Sequence, residues 1–427
     1  MKLPRVFGSH PLTSPGAARQ RGRFRTWLLI VLVLVVLLPS GLSLSRKPEA
    51  AANSPPTAAE VRRSREVYQR VRMAQQAPGE QVLRVSWEEL AAVAAMSGRA
   101  AGFERVNIAP ETDRAHLRVS RELPLGFWLN GHAFIARADD GQPRMSARIG
   151  HLPIPAFVVH AAIGAAIKVL RMRGANIQPL EKMVTQVRLD PGGMRAVVDL
   201  PVRARVFRTL RALSVEELDG SRIETHYCRL INAQRAEPDA LLAGLVRQAF
   251  AAGDGTATDN RSIFVALALL VAQIDAGAMP GGKEALFDRC GKSEKEFALQ
   301  GRADLAKHWT VSAAISSYLG TDTSLTLGTW KEIFDSGKGG SGFSLVDLAA
   351  DRSGTFAAQR GADPDKAVAM KNWLAQATDS NLLPISALAL AEGMTESEFR
   401  AQYTNTDSTT YTATVARIDS ALEVLMH

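Results

Sequence analysis

Between Asp304 and Arg352 the chain concentrates the side chains best suited to chemistry. His308 sits in the helical run DLAKHWTVSAAI, beside Trp309. Lys331, Glu332 and Asp335 follow in LGTWKEIFDS, where Glu332 and Asp335, three apart, share a helix face. After the glycine-rich loop GKGGSGF, Ser344 is placed to cap a helix on which Asp347 and Asp351, four apart, also share a face. An imidazole and two carboxylate pairs on neighbouring helices are what a metal site in a bundle core uses. They are equally what a general acid/base pair needs once burial splits their pKa values. His308, Glu332, Asp335, Asp347 and Asp351 are therefore candidate ligands of a divalent metal, and with Lys331 they are the candidate catalytic groups. A structural network is the plainer account. In it Asp347 and Asp351 pair with Lys331 and Arg352, and His308 donates to a carbonyl.

Other chemistries have less support. The zinc and di-iron signatures H-E-x-x-H and E-x-x-H are absent. Lys338 precedes the glycines of its loop, which excludes a Walker A reading there. Ser341 in GGSG lacks the strand–elbow–helix context of a hydrolase nucleophile. His116, His132, His151 and His160 are scattered without ligand spacing, and His226 and Cys228 read as surface positions. Cys228 and Cys290 could be bridged or free; neither flank has the CxxC spacing of a metal or redox motif.

The elements that must position these groups fall into two textures. From Phe103 onward, period-two stretches such as RAHLRVSREL and FWLNGHAFIARA alternate with turn signals, including Asp139–Gln142. They predict an antiparallel meander of three or four strands. Helices accompany it: 61–75, one opened by the capping box of Ser86 and Glu89, and an amphipathic segment over 155–171 with Phe157, Ile163 and Ile167 on one face. Strand-like alternation resumes around Asp190-Pro191-Gly192-Gly193. After Pro238 the pattern turns helical, over 239–251, 260–274, 301–319, 325–336, 343–359, 364–377 and 409–426. The apolar core of 260–274 is too short to span a bilayer and predicts a buried helix. The fold class expected is an α+β N-terminal unit, an antiparallel meander with packed helices, followed by an all-α helical bundle.

Preceding both is Trp27–Leu44, uncharged and long enough to cross a membrane as a helix. Lys2, Arg5, Arg19, Arg21, Arg23 and Arg25 lie upstream with no acid, which places the N-terminus in the cytoplasm and the body in the periplasm. The nearest small-residue cluster, Ala50–Ala52, lies beyond four intervening polar or Pro residues, so an anchor is favoured over a cleaved signal. The expected organisation is a basic tail (1–26), a transmembrane helix (27–44), a spacer with a juxtamembrane helix (45–80), the α+β domain (81–236) and the helical domain (237–427). The net charge of +8 resides in residues 1–47, which hold eight Lys or Arg and no acid. That is a topology signal and argues against nucleic acid as a partner. Residues 48–236 carry 27 basic and 19 acidic side chains, and residues 237–427 carry 16 and 24, so the sign changes near residue 236.

The segments DLAKHW, LGTWKEIFDS, GGSGFSLVDLAADRSG and ESEFRAQY resemble a group of uncharacterised proteobacterial single-anchor envelope proteins. The likeness covers most of 240–427. The order H…KE..D…D..A…G is more weakly similar to VanZ-like envelope families, which have several spans. The resemblance implies location and family membership, and no mechanism. Three functions compete: an anchored envelope scaffold or binding module acting with envelope lipid or protein, which comes first because no familiar catalytic motif is present; a metal-assisted or acid/base hydrolase using the His308 cluster; and a carrier of lipid or another apolar ligand in the α+β unit.

Overall fold

The computed structural model describes residues 44–100, 103, 105–137, 143–172, 177–200, 219–234, 241–274 and 289–426. The basic tail, the proposed span up to residue 43, the turn at 139–142 and the strand-like run beyond residue 200 lie outside the described residues. Among the described residues no helix is long and apolar enough to cross a membrane.

The N-terminal region is mixed, with two antiparallel sheets. In the larger, β3 (Arg105–Pro110), β4 (Arg114–Leu123), β5 (Phe127–Arg137), β6 (Pro143–Ile149) and β7 (Leu152–Ile154) are neighbours in chain order, the meander expected from the alternation, and β1 (Leu44–Ser45) pairs with the start of β5. The smaller sheet runs β2 (Gln81–Ser86), β9 (Gly193–Val198), β8 (Val184–Asp190). Sequence gave no sign that β2 joins the β8–β9 hairpin from more than 100 residues away. Helix α1 (Ala58–Gln76) is opened by a Thr57/Glu60 capping box. Ser86 and Glu89 exchange the reciprocal bonds of the box expected before α2 (Trp87–Ala100). Helix α3 (Ala156–Met172) forms as expected but buries no residue, and Phe157 is 75 % exposed. Of the apolar face expected from the spacing, Ile163 and Ile167 are half-buried and Phe157 is left exposed. After the four-residue α4 (Leu180–Met183) the chain enters β8.

The C-terminal region is helical. It comprises α5 (Gly220–Ala233), α6 (Leu242–Ala251), α7 (Ala257–Val271), α8 (Ala303–Leu319), α9 (Thr321–Asp335), α10 (Leu345–Ala362), α11 (Ala367–Leu374), α12 (Asp379–Leu382), α13 (Glu396–Tyr403) and α14 (Thr409–Leu425). Helix α7 is its hub: from Asp259 to Val271 every residue but Arg261 is buried, the state expected of a helix apolar on all sides. Trp309, Phe264, Phe250 and Phe343 fill the surrounding core.

Two segments assigned by sequence to the N-terminal side belong to this core. Ile223, Tyr227, Leu230 and Ile231 of α5 are part of it, so the helical region begins before the charge change at residue 236. Ala58 and Val61 of α1 also join it, and the Arg65 guanidinium lies 4.5 Å over the Phe334 ring of α9. The expected juxtamembrane helix is thus docked on the helical region. Contrary to expectation, His226 is a buried helical residue; of the two states left open for the cysteines, Cys228 is bridged to Cys290.

Candidate functional site

Helices α8, α9 and α10 pack on one another, and α8 and α10 also pack on α7. Their closeness depends on missing side chains. A Cβ on Gly354 would lie 2.0 Å from the Trp309 carbonyl oxygen, and one on Gly328 would lie 2.9 Å from Asp351 Oδ2. With bare backbone at both crossings, the stripe His308–Ser312 of α8 meets the stripe Asp347–Asp351 of α10 directly. The glycine loop then folds α9 back onto the start of α10. Gly342, at φ +94°, adopts a conformation other residues avoid, and its N–H donates to the Asp335 carbonyl at 2.8 Å. Ser344 caps α10 as expected, accepting from the Asp347 N–H at 3.0 Å.

The cluster so formed has His308 at its centre. His308 Nδ1 is 2.9 Å from Asp351 Oδ1, and Nε2 is 3.4 Å from Asp347 Oδ2. Ser312 Oγ donates to the same Asp351 oxygen at 2.7 Å. The other oxygen, Asp351 Oδ2, is buried with no hydrogen-bond partner. Glu332, wholly buried, accepts from the Ser344 N–H at 2.9 Å and from Lys331 Nζ at 2.9 Å. Lys331 Nζ also reaches Asp335 at 2.8 Å. Asp335 therefore joins the cluster only through Lys331. Arg302 stands at the outer edge, 3.5 Å from Asp347 and bonded to Asp304 and Glu392. The pairing of Asp347 and Asp351 with Lys331 and Arg352 does not form, because Arg352 bonds Asp419 on α14. His308 donates to a carboxylate where a carbonyl was expected.

Burial and charge act against each other here. Burial pushes Glu332 up to about 7, against the pull of Lys331 and the Ser344 N–H. Burial likewise raises Asp347, which His308 and Lys331 only partly offset. For His308, burial favours the neutral ring, but the bond to Asp351 and the charges of both aspartates outweigh it, and its pKa stands above the ordinary value. Burial opposes the Lys331 charge as well, and Glu332 and Asp335 more than restore it.

The sign of the resulting pH dependence follows. The folded state holds the Glu332 proton from the ordinary value of 4.5 up to about 7, so stability present below pH 4.5 is lost as pH rises through that window. Glu332→Gln is expected to remove about 3 kcal/mol of that loss. Denaturant unfolding of both proteins at several pH values measures it; parallel curves would count against a buried, proton-holding Glu332. His116 and His132, lowered chiefly by burial, act with the opposite sign in both proteins and cancel in the comparison.

No protein-family model, curated protein or solved structure matches the chain. Geometry alone therefore weighs the chemistry. His308, Glu332 and Asp351 each present one ligand atom within 4.8 Å of the others, a spacing that could hold a cation, and so do Asp304, Asp347 and Glu392. In the first group the Lys331 ammonium already lies against Glu332, and in the second Arg302 bridges all three carboxylates. Asp335 is in neither. What remains is an imidazole oriented by a buried aspartate, its second nitrogen turned toward another carboxylate near the surface, beside a carboxyl group able to carry a proton near neutrality. Such an arrangement can take up and return protons.

Sequence spacing missed other pairs. His116 Nε2 and His132 Nδ1 lie 2.9 Å apart between Glu111 and Glu49, because Arg118 pairs with His132 across β4 and β5 and brings His116 to a diagonal position. His226 Nε2 bonds Asp259 at 2.8 Å, both buried. In sequence, nothing distinguishes these histidines from isolated ones.

Proposed function

We propose that the chain is a membrane-anchored envelope protein whose helical region is an acid/base catalytic unit, with His308 as the group that moves protons. The observation that carries this reading is the His308 ring held between Asp351 on one nitrogen and Asp347 on the other. Asp351 fixes which nitrogen bears hydrogen and stabilises the charged ring, as the carboxylate of a His–Asp pair does. Nε2 then faces the outer carboxylate Asp347, where a water or hydroxyl could be activated for hydrolysis. Against a purely structural network stands the Asp351 oxygen left without a partner at the buried centre. That same oxygen favours a second reading, a divalent cation on His308, Glu332 and Asp351.

The location rests on Trp27–Leu44, on the basic residues before it and on the bridged Cys228 and Cys290, a bond that an oxidising compartment permits. Alkaline phosphatase fused after His427 is expected to be active in cells, since that reporter requires export; an inactive fusion with an active cytoplasmic reporter would reverse the orientation.

The full chain, purified in detergent, tests the chemistry against p-nitrophenyl esters, phosphates and glycosides. Turnover lost in His308→Ala and unaffected by EDTA is the result expected. Stoichiometric metal that disappears in His308→Ala and Asp351→Asn would establish the cation reading. Turnover retained in His308→Ala would contradict an acid/base role. No turnover of any probe by the wild-type chain would favour a binding module.

A further inference from the structure

A cavity of about 860 Å³ lies between α1 and the outer face of the small sheet. Strand register makes its floor unusual. Arg84 of β2 is opposite Arg195 of β9, and Arg195 is opposite Arg188 of β8. Three guanidinium groups therefore stand in one row across three strands, since directly opposed residues project to the same face. The neighbouring row on that face is Val82, Val197 and Gln186. Arg70 enters from α1, alongside the apolar Met73 and Ala74.

Like charges placed directly opposite one another destabilise a sheet, and proteins ordinarily relieve them with carboxylates. Among the described residues no Asp or Glu lines this cavity. Among the described residues the side chains of Arg84, Arg188 and Arg195 make no hydrogen bond or ion pair, and Arg195 Nε is buried without a partner. Arg70 has Glu89 at 2.7 Å, but its Nε is also buried and unpaired. Among the described residues the counter-charge this row calls for is missing.

We propose that the cavity binds a phosphate-bearing anion, its phosphate on the row Arg84–Arg195–Arg188 and any apolar body against Met73, Ala74 and Val82. Guanidinium groups stay charged and present paired donors that match phosphate oxygens. A phosphate offers three oxygens to three such forks, and the volume is that of a small-molecule site. The phosphate could belong to a lipid headgroup or to a soluble monoester. This site is separate from the His308 centre and does not depend on its chemistry.

Calorimetric titration of the full chain in detergent tests it, with dihexanoyl phosphatidic acid, dihexanoyl phosphatidylcholine and inorganic phosphate as probes. The phosphatidic acid is expected to bind, the phosphatidylcholine not, and the double variant Arg188→Gln/Arg195→Gln to bind at least about tenfold more weakly, as loss of charge-assisted bonds implies. The variant relieves repulsion, so its melting temperature should equal or exceed wild type and exclude misfolding as the cause. Inorganic phosphate binding as tightly as the lipid would identify a soluble source for the same site. Equal binding of phosphatidylcholine, undiminished binding in the double variant, or no binding of either phosphate probe would overturn the proposal.

Discussion

Asp351→Ala is expected to lower the unfolding free energy by about 3 kcal/mol at about pH 5.5, and by clearly less at about pH 8. The residue is 5 % exposed, and one of its carboxylate oxygens takes hydrogen bonds from both His308 Nδ1 and Ser312 Oγ. Truncation leaves two buried donors unpaired and removes the nearest charge that stabilises the imidazolium. A buried arginine so orphaned would bear the whole penalty. An imidazole escapes part of it by losing its proton, and that escape is easiest at high pH. Asp351→Asn keeps an acceptor and should cost less than the alanine variant. Denaturant unfolding at the two pH values measures the difference. An equal loss at both would mean that His308 is not held charged by Asp351.

The second large effect concerns the bond between Cys228 and Cys290, whose separation along the chain is 62 residues. Reduction, or the double variant Cys228→Ser/Cys290→Ser, is expected to destabilise the helical region by about 4 kcal/mol, the chain-entropy value for a loop of this length. The bridge supports contacts made beside it: Tyr227 donates to the Gly291 carbonyl at 3.1 Å, and Arg289 pairs with Glu224 at 2.5 Å. Helix α5 packs on the hub helix α7, so loosening this corner exposes core. Thermal unfolding with and without dithiothreitol checks it, together with mass spectrometry of the thiols. An unchanged transition would remove the bridge from the stability of the fold.

Local signals in the sequence served well where the physics is local. The reciprocal bonding of Ser86 and Glu89, the cap at Ser344 and the alternation through β4 and β5 depend on neighbours within a few residues, and each was legible. His308, Glu332, Asp347 and Asp351 were recognisable as a group because their helices follow one another closely. Their partners were not. Arg302 binds Glu392 and Arg352 binds Asp419, both choices made by tertiary packing that no spacing encodes. The arginine row shows the same limit: Arg84, Arg188 and Arg195 align only because β2 pairs with a hairpin formed long after it in the chain. Helix α3 failed in the opposite way, since its apolar residues announced burial that the described residues do not provide.

Nuclear magnetic resonance of the ¹³C-labelled histidine rings, with His308 assigned by its loss in His308→Ala, tests the acid/base centre most directly. The His308 resonance should titrate above the ordinary histidine value of 6.5 in the wild-type chain and clearly lower in Asp351→Asn, where Asp347 is the one aspartate left to oppose burial. A His308 ring that stays neutral across this range, or whose titration ignores Asp351, would contradict a proton-moving role at this centre.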